Sequence, residues 1–216
     1  MRAGISFCRV SGRLLFLDVP GDRYFCLDDA AERSFARLVG GDQLTSEDRQ
    51  ALDKLIAQGL LHPTDLATPP VPCVPPRAVD TSLLDIGRPP RAAGLAASFA
   101  AQARAATALR LRGLDAVLRR VARRKAALPA APPPRDALEK VAGAFDRLAL
   151  LATPLDRCLP RSVAVAHRLL DRGVPPDLVI GVKLHPFGAH CWVQHGGAVV
   201  NDRVDTVRAF TAILVI

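Results

Sequence analysis

Hydrophobic and polar positions change their period within the N-terminal third of the chain. Three short apolar runs come first, "GISFCRV", "RLLFLDV" and "RYFCLDD", separated by "SGR" and "PGDR". Gly, Pro and Asp supply the backbone conformations that tight reversals need, so the pattern predicts a three-stranded antiparallel meander. The period then lengthens. In "DDAAERSFARLVGG", Ala31, Phe35, Leu38 and Val39 recur at helical spacing behind an acidic start and before a glycine stop. In "TSEDRQALDKLIAQGLL", Thr45 or Ser46 can cap a second helix, acids fill its first turn, and Leu52, Leu55 and Ile56 share a face before Gly59.

The periodicity stops at "HPTDLATPPVPCVPPRAVD", a proline-rich stretch that reads as a semi-rigid spacer. It divides the chain into a small unit over residues 1–62, a linker over 63–90 and a second domain over 91–216. From Arg91 to about Leu128 the pattern is helical and Ala/Arg-rich, broken near Gly113. After "PAAPPPRD" come two further predicted helices, "DALEKVAGAFDRLALLA" and "CLPRSVAVAHRLLDRG". The second carries Val163, Ala166, Leu169 and Leu170 on one face and ends at Gly173. Strands close the chain: "LVIGVKL", "AHCWVQ", the turn "HGG", and "AVVNDR". Helices leading into a sheet give an α+β class for this domain.

Composition narrows the setting. The net charge is +8, and residues 91–125 account for all of it, with nine Arg and Lys against Asp115. Basicity therefore belongs to one segment, most simply a solvated helix face whose arginine stems cover apolar surface. The sequence has neither a zinc-finger nor an aromatic RNA-binding pattern, which argues against a nucleic-acid partner. The five cysteines, Cys8, Cys26, Cys73, Cys158 and Cys191, lack CxxC spacing, so the chain reads as a reduced, cytoplasmic protein without a zinc site or other metal or cofactor. Neither a signal-like segment nor an apolar run long enough for a transmembrane segment is present.

The candidate chemistry lies in "GAHCWVQHGGAVVND". With His195-Gly196-Gly197 as the loop, Gln194 faces Ala198, and counting back places His190 opposite Asp202, with Cβ atoms about 5 Å apart. An imidazole Nδ1–H then reaches the carboxylate, which makes His190 an oriented base. The nucleophile candidate is Cys158. Pro160 suits the first turn of a helix, which puts Cys158 at or just before the N-terminus, where free amides and the helix dipole favour a thiolate. The same amides can receive an oxyanion. Cys191 alternates to the opposite face of its strand from His190. His185 and His195 read as loop residues, His167 as structural or solvated, and Asp205 as second choice to Asp202.

These residues carry a resemblance. "RCLPRSVAVAHRLLDRGVPPDLVIGVKLHPFGAHCWVQHGGAVVND" resembles the C-terminal part of lasso-peptide biosynthesis B proteins, which are transglutaminase-like cysteine peptidases. The cues are the Cys-Leu-Pro-Arg-Ser start, the Gly-Val strand, the Pro-Phe-x-Ala-His-x-Trp-Val segment and the Val-Asn-Asp strand. The family's catalytic residues fall on Cys158, His190 and Asp202. The N-terminal unit resembles the winged-helix-like recognition element that captures precursor leader peptides, except that "GGDQLT" leaves room for only a turn where a short middle helix is usual.

The resemblance implies a winged-helix-like recognition element followed by a transglutaminase/papain-like α+β domain. It further implies that a leader peptide adds as a strand beside Tyr24, Phe25, Cys26 and Leu27, over a second helix presenting Arg49, Asp53 and Ile56. Cleavage at the leader–core bond would then deliver the core to an asparagine-synthetase-like lasso cyclase. Three other readings stay open at this point: a non-catalytic leader-binding chaperone for that cyclase, a nucleic-acid-binding winged-helix protein whose Arg-rich helices contact phosphate, and a related acyl-transfer or deamidation chemistry through the same acyl-enzyme.

Overall fold

The computed structural model describes residues 1–86, 92–129, 136–149 and 158–216. The chain divides into two units, Met1–Cys73 and Val74–Ile216. The expected start of the third helix at Arg91, the "PAAPPPRD" break over 130–135 and the end of "DALEKVAGAFDRLALLA" lie outside the described residues.

In the first unit the three apolar runs form β1 (Ile5–Val10), β2 (Arg13–Asp18) and β3 (Arg23–Cys26), an antiparallel sheet in the order β1-β2-β3. Two helices follow. Asp28 caps α1 (Asp29–Gly40) by accepting from the amides of Ala30 and Ala31, and Gly41 ends it in the left-handed conformation. Thr45 caps α2 (Ser46–Ala57) in a reciprocal box with Asp48. The segment between the helices contains no helical turn, as "GGDQLT" predicts. The core is aromatic: Phe7 stacks on Phe16 with centroids 5.4 Å apart, and Phe35 meets both edge-on at 5.2 Å. Leu38, Leu52 and Leu55 complete it.

The proline-rich stretch is more than a spacer. Pro63–Leu66 forms a 3₁₀ turn whose Asp65 pairs with the N-terminal ammonium, and the Cys73 amide donates to Phe7 O at 2.7 Å. Further on, Thr81–Ser82 becomes β4, a strand of the second unit's sheet.

After β4 and a 3₁₀ turn over Leu83–Ile86, the helices of that unit start with α3 (Ala92–Ala126), which is two helical arms joined at Gly113. The break falls where the sequence places it. Gly113 has φ 74° and ψ 169°, a conformation closed to L side chains, so the arms bend there. Then come α4 (Ala137–Ala149) and α5 (Cys158–Leu170). Residues Val163 to Ala166 of α5 are fully buried, so the helix is enclosed on all sides and not only on its predicted face. It packs against α3 and α4 and against β5 (Asp177–Lys183) and β6 (Gly188–His195). After β6 come β7 (Ala198–Val199), a short α6 (Val204–Arg208) and β8 (Thr211–Val215), and the sheet order is β4-β7-β6-β5-β8. The last two elements carry no clear sequence signal. β8 is a short apolar run whose strand character comes from pairing antiparallel to β5.

Candidate functional site

Cys158 is the first residue of α5, and its thiol lies beside the imidazole of His190 on β6. His190 Nε2 is in turn 2.6 Å from Asp202 Oδ2. With Nε2 engaged by the carboxylate, Nδ1 is the nitrogen left to serve the Cys158 thiol. The carboxylate is thus met by Nε2 and not, as the sequence reading expects, by Nδ1.

The hairpin also departs from the predicted register. The loop is two residues, Gly196 and Gly197, so His195 pairs with Ala198 and Gln194 with Val199. The strand predicted over 198–203 stops at Val199, and the ladder partner of His190 is Gly181 on β5. The Val200 amide still donates to Val193 O at 2.8 Å, and Asp202 reaches the imidazole because the chain bends away from β6 after Val200. Asn201, buried at 3% exposure, holds the bend: its Oδ1 accepts the Val193 amide at 2.7 Å and its Nδ2 donates to Ser162 Oγ at 2.9 Å. Ser162 Oγ donates to Cys191 O at 2.8 Å. Ser82 on β4 donates to Asp202 O at 2.7 Å, and the Arg203 amide donates to Asp202 Oδ1 at 2.7 Å. Helix α5, strand β6 and the Asp202 bend are therefore locked together by side chains outside the predicted trio. Ser162 and Asn201 belong to the Arg-Ser and Val-Asn-Asp cues, and that was their only signal in the sequence.

The electrostatics follow from this geometry. Burial by itself would raise the Cys158 thiol, but the His190 hydrogen bond and charge, with backbone hydrogen bonds at Cys191 and Leu159, outweigh it and lower the pKa. Burial opposes charge on His190 too, yet Asp202 and Cys158 together raise it to about 9. Asp202 is likewise opposed by burial and held below the ordinary carboxylate value by His190, the Arg203 amide and the charge of Arg161. The arrangement favours a thiolate–imidazolium pair anchored by a carboxylate. Cys191 is fully buried and its thiol is pushed well above the usual range, which leaves it unreactive.

Aromatic rings flank the base. The Phe210 centroid lies 5.2 Å and the Trp192 centroid 6.2 Å from that of His190. Gly181 makes room for them: a Cβ there would meet Trp192 Cζ3 at 2.6 Å and Phe210 Cβ at 2.9 Å. Arg161, one turn along α5 from Cys158, donates to Phe145 O at 3.3 Å, and its Nε is buried without a partner among the described residues. No group of three His, Cys, Asp or Glu is placed to hold a metal among the described residues.

In the first unit, a cavity of about 430 Å³ opens between β3 and α2. The edge of β3 away from β2 pairs with no strand among the described residues, and Phe25 and Cys26 of β3, with Leu27 just beyond it, line the cavity. Tyr24, Arg49, Asp53 and Ile56 do not. Ala51, Lys54, Leu55 and Gln58 share the face of α2 that meets the cavity, and at 100° per residue positions 49, 53 and 56 fall on other faces, Ile56 packing on the core. Arg2 and Arg23 add charge to the rim.

Of the other histidines, His195 ends β6 with its Nδ1 2.8 Å from Pro175 O, and His167 is held in α5 by Arg124. Asp205 lies in α6, one turn beyond the carboxylate that contacts His190.

A thiol at a helix N-terminus, with its imidazole and carboxylate on the adjoining sheet, is the arrangement of transglutaminase-like folds. Residues 101–215 match the transglutaminase-like superfamily, and the chain belongs to it. Among characterised proteins it is similar to the microcin J25-processing protein McjB of Escherichia coli, 47% identical over 45 residues. Those residues are 21% of this chain and 22% of McjB. The resemblance to lasso-peptide B proteins read from the sequence is supported by that likeness. No solved structure matches the chain. Among the described residues no helix is long and apolar enough to cross a membrane.

Proposed function

We propose that the chain is a cysteine endopeptidase that binds a lasso-peptide precursor through its leader and cleaves the leader–core amide bond. The observation that carries this reading is the alignment of Cys158, His190 and Asp202 at the start of α5, with Nε2 of the imidazole engaged by the carboxylate. The likeness to a protein named for processing microcin J25 supports the substrate class.

In this mechanism the Cys158 thiolate attacks the scissile carbonyl carbon. Its oxygen becomes an oxyanion near the backbone amides of Leu159 and Cys191, the groups that hydrogen-bond the sulfur in the resting site. The His190 imidazolium gives its proton to the leaving nitrogen, the C–N bond breaks, and the core departs as a free amine. The leader remains as a thioester. His190, now neutral, takes a proton from water, whose oxygen attacks the thioester carbonyl, and the leader leaves as a carboxylate while Cys158 regains its charge pair with the imidazole. Asp202 fixes the ring orientation and stabilises the imidazolium throughout.

The leader would pair with the open edge of β3, its side chains entering the cavity beside Phe25, Leu27 and Leu55. Holding the leader raises the effective concentration of the junction at Cys158. The amine so released is the nucleophile that a macrolactam-forming, asparagine-synthetase-like cyclase consumes, which makes that enzyme the proposed recipient, within the cytoplasm.

The test is precursor processing followed by mass spectrometry, with and without the cyclase and ATP, for the wild type and Cys158→Ala. The reading predicts leader release by the wild type alone and leader binding by both. Binding by both without cleavage by either would favour a non-catalytic chaperone.

A further inference from the structure

The bend at Gly113 gives α3 a feature that the peptidase reading does not use. Its two arms and α5 enclose a groove of about 590 Å³, within the range of natural ligand sites. The floor is small and apolar: Ala101, Ala105, Val117 and Val163 are all at least nine-tenths buried. The rim is cationic. Arg104 and Arg112 from the first arm and Arg120 from the second are exposed and carry no ion pair among the described residues. Arg124 is already committed, its Nη2 2.6 Å from Asp171 and its Nη1 3.0 Å from Nδ1 of His167. Burial and the charges of Arg124, Arg120 and Arg104 lower the His167 pKa, which disfavours a further positive charge on its ring. Leu111, which also lines the groove, is 79% exposed.

Three exposed guanidiniums around an apolar floor make a rim of positive potential that favours carboxylates over neutral or cationic groups. The floor selects among anions. It offers no aromatic surface for base stacking, and its concavity suits side chains better than a phosphodiester backbone. We propose that this groove docks an acidic amphipathic helix of a partner protein, with small apolar side chains on the alanine floor and Asp or Glu against Arg104, Arg112 and Arg120. This is helix-in-groove recognition with charge complementarity setting partner choice.

The test uses full-length protein and a fluorescein-labelled peptide with glutamates three and four positions apart bordering a leucine–alanine stripe, read by fluorescence anisotropy. Saturable binding is expected. It should weaken by roughly tenfold or more in R104E/R112E/R120E, and comparably in Ala108→Trp, which fills the groove without changing charge. Circular dichroism of both variants controls for folding. Polyglutamate, with charge but no apolar stripe, should compete poorly, as should duplex DNA and anionic phosphatidylserine vesicles. Absence of saturable binding overturns the proposal. So does equal competition by polyglutamate, DNA or vesicles, or undiminished binding by Ala108→Trp, because each would make the segment a general basic surface.

Discussion

Nε2 of His190 and Oδ2 of Asp202 lie 2.6 Å apart, and the contact is made outside the sheet ladder. His190 pairs with Gly181 on β5, whereas Asp202 stands on a bend that has left the sheet. The geometry of the base therefore depends on what holds that bend as much as on the strand that carries the ring. Asn201, Ser162 and Ser82 do so through three buried or half-buried hydrogen bonds.

Asp202→Asn keeps the shape of the side chain but removes the charge that anchors the imidazolium. Peptidase activity should fall by on the order of 10²- to 10⁴-fold, as for other triads deprived of their carboxylate. Alkylation of Cys158 by iodoacetamide, followed by peptide mass mapping, should slow at neutral pH in the same variant. An unchanged alkylation rate would show that Asp202 does not support the thiolate.

The pH dependence has a definite sign. Cys158 is lowered, so its thiolate persists below the ordinary thiol value, and His190 is raised to about 9, so its proton persists above the ordinary imidazole value. The reactive pair fills the window between them. kcat/KM should rise through the depressed thiol value, stay high across neutral pH and fall as pH passes about 9. For stability, the charged-His190 contribution is complete below its unfolded value of about 6.5 and is lost as pH rises through about 9. Asp202→Asn should move the alkaline limb of the rate profile to lower pH. An alkaline limb at the same pH in both proteins would contradict the assignment.

Asn201→Ala strips the Val193 amide of its acceptor in a buried setting and removes one donor from Ser162 Oγ, which keeps its bond to Cys191 O. A loss of about 1–3 kcal/mol is expected from the unsatisfied amide. Activity should drop with it, because the bend carrying Asp202 is released. Thermal unfolding and peptidase assays at a temperature where the variant stays folded separate the two effects.

Gly181→Ala places a methyl group against Trp192 and Phe210, the rings beside His190. The rings must shift, and a base displaced by about 1 Å loses on the order of 10²-fold in rate. The prediction is a fall in kcat larger than any change in leader affinity, measured by turnover and by leader binding.

The sequence made the frame of this site legible and left its locking contacts hidden. Period-two runs with turn residues between them marked the first sheet, and Gly113 marked the break in α3. Cys158 could be placed at a helix start from Pro160, and His190 could be paired with Asp202 from their spacing. A two-glycine loop shifts the register by one residue, and side-chain hydrogen bonds of Asn201, which periodicity cannot register, bring Asp202 back to the ring. On α2, Arg49, Asp53 and Ile56 turn away from the cavity beside β3 while Ala51, Lys54, Leu55 and Gln58 meet it, a difference of helix face that residue type alone does not reveal. β4 and β8 went unseen for another reason: a two-residue strand and a C-terminal apolar run become strands only through the neighbours they pair with.

The most direct test of the central claim is acid-quenched intact mass spectrometry of the protein with its precursor, followed by peptide mapping. The account predicts an adduct with the mass of the leader acyl group, carried as a hydroxylamine-sensitive thioester on the peptide containing Cys158 and absent in Cys158→Ala. Leader release by Cys158→Ala at the wild-type rate, or an adduct on any other residue, would contradict it.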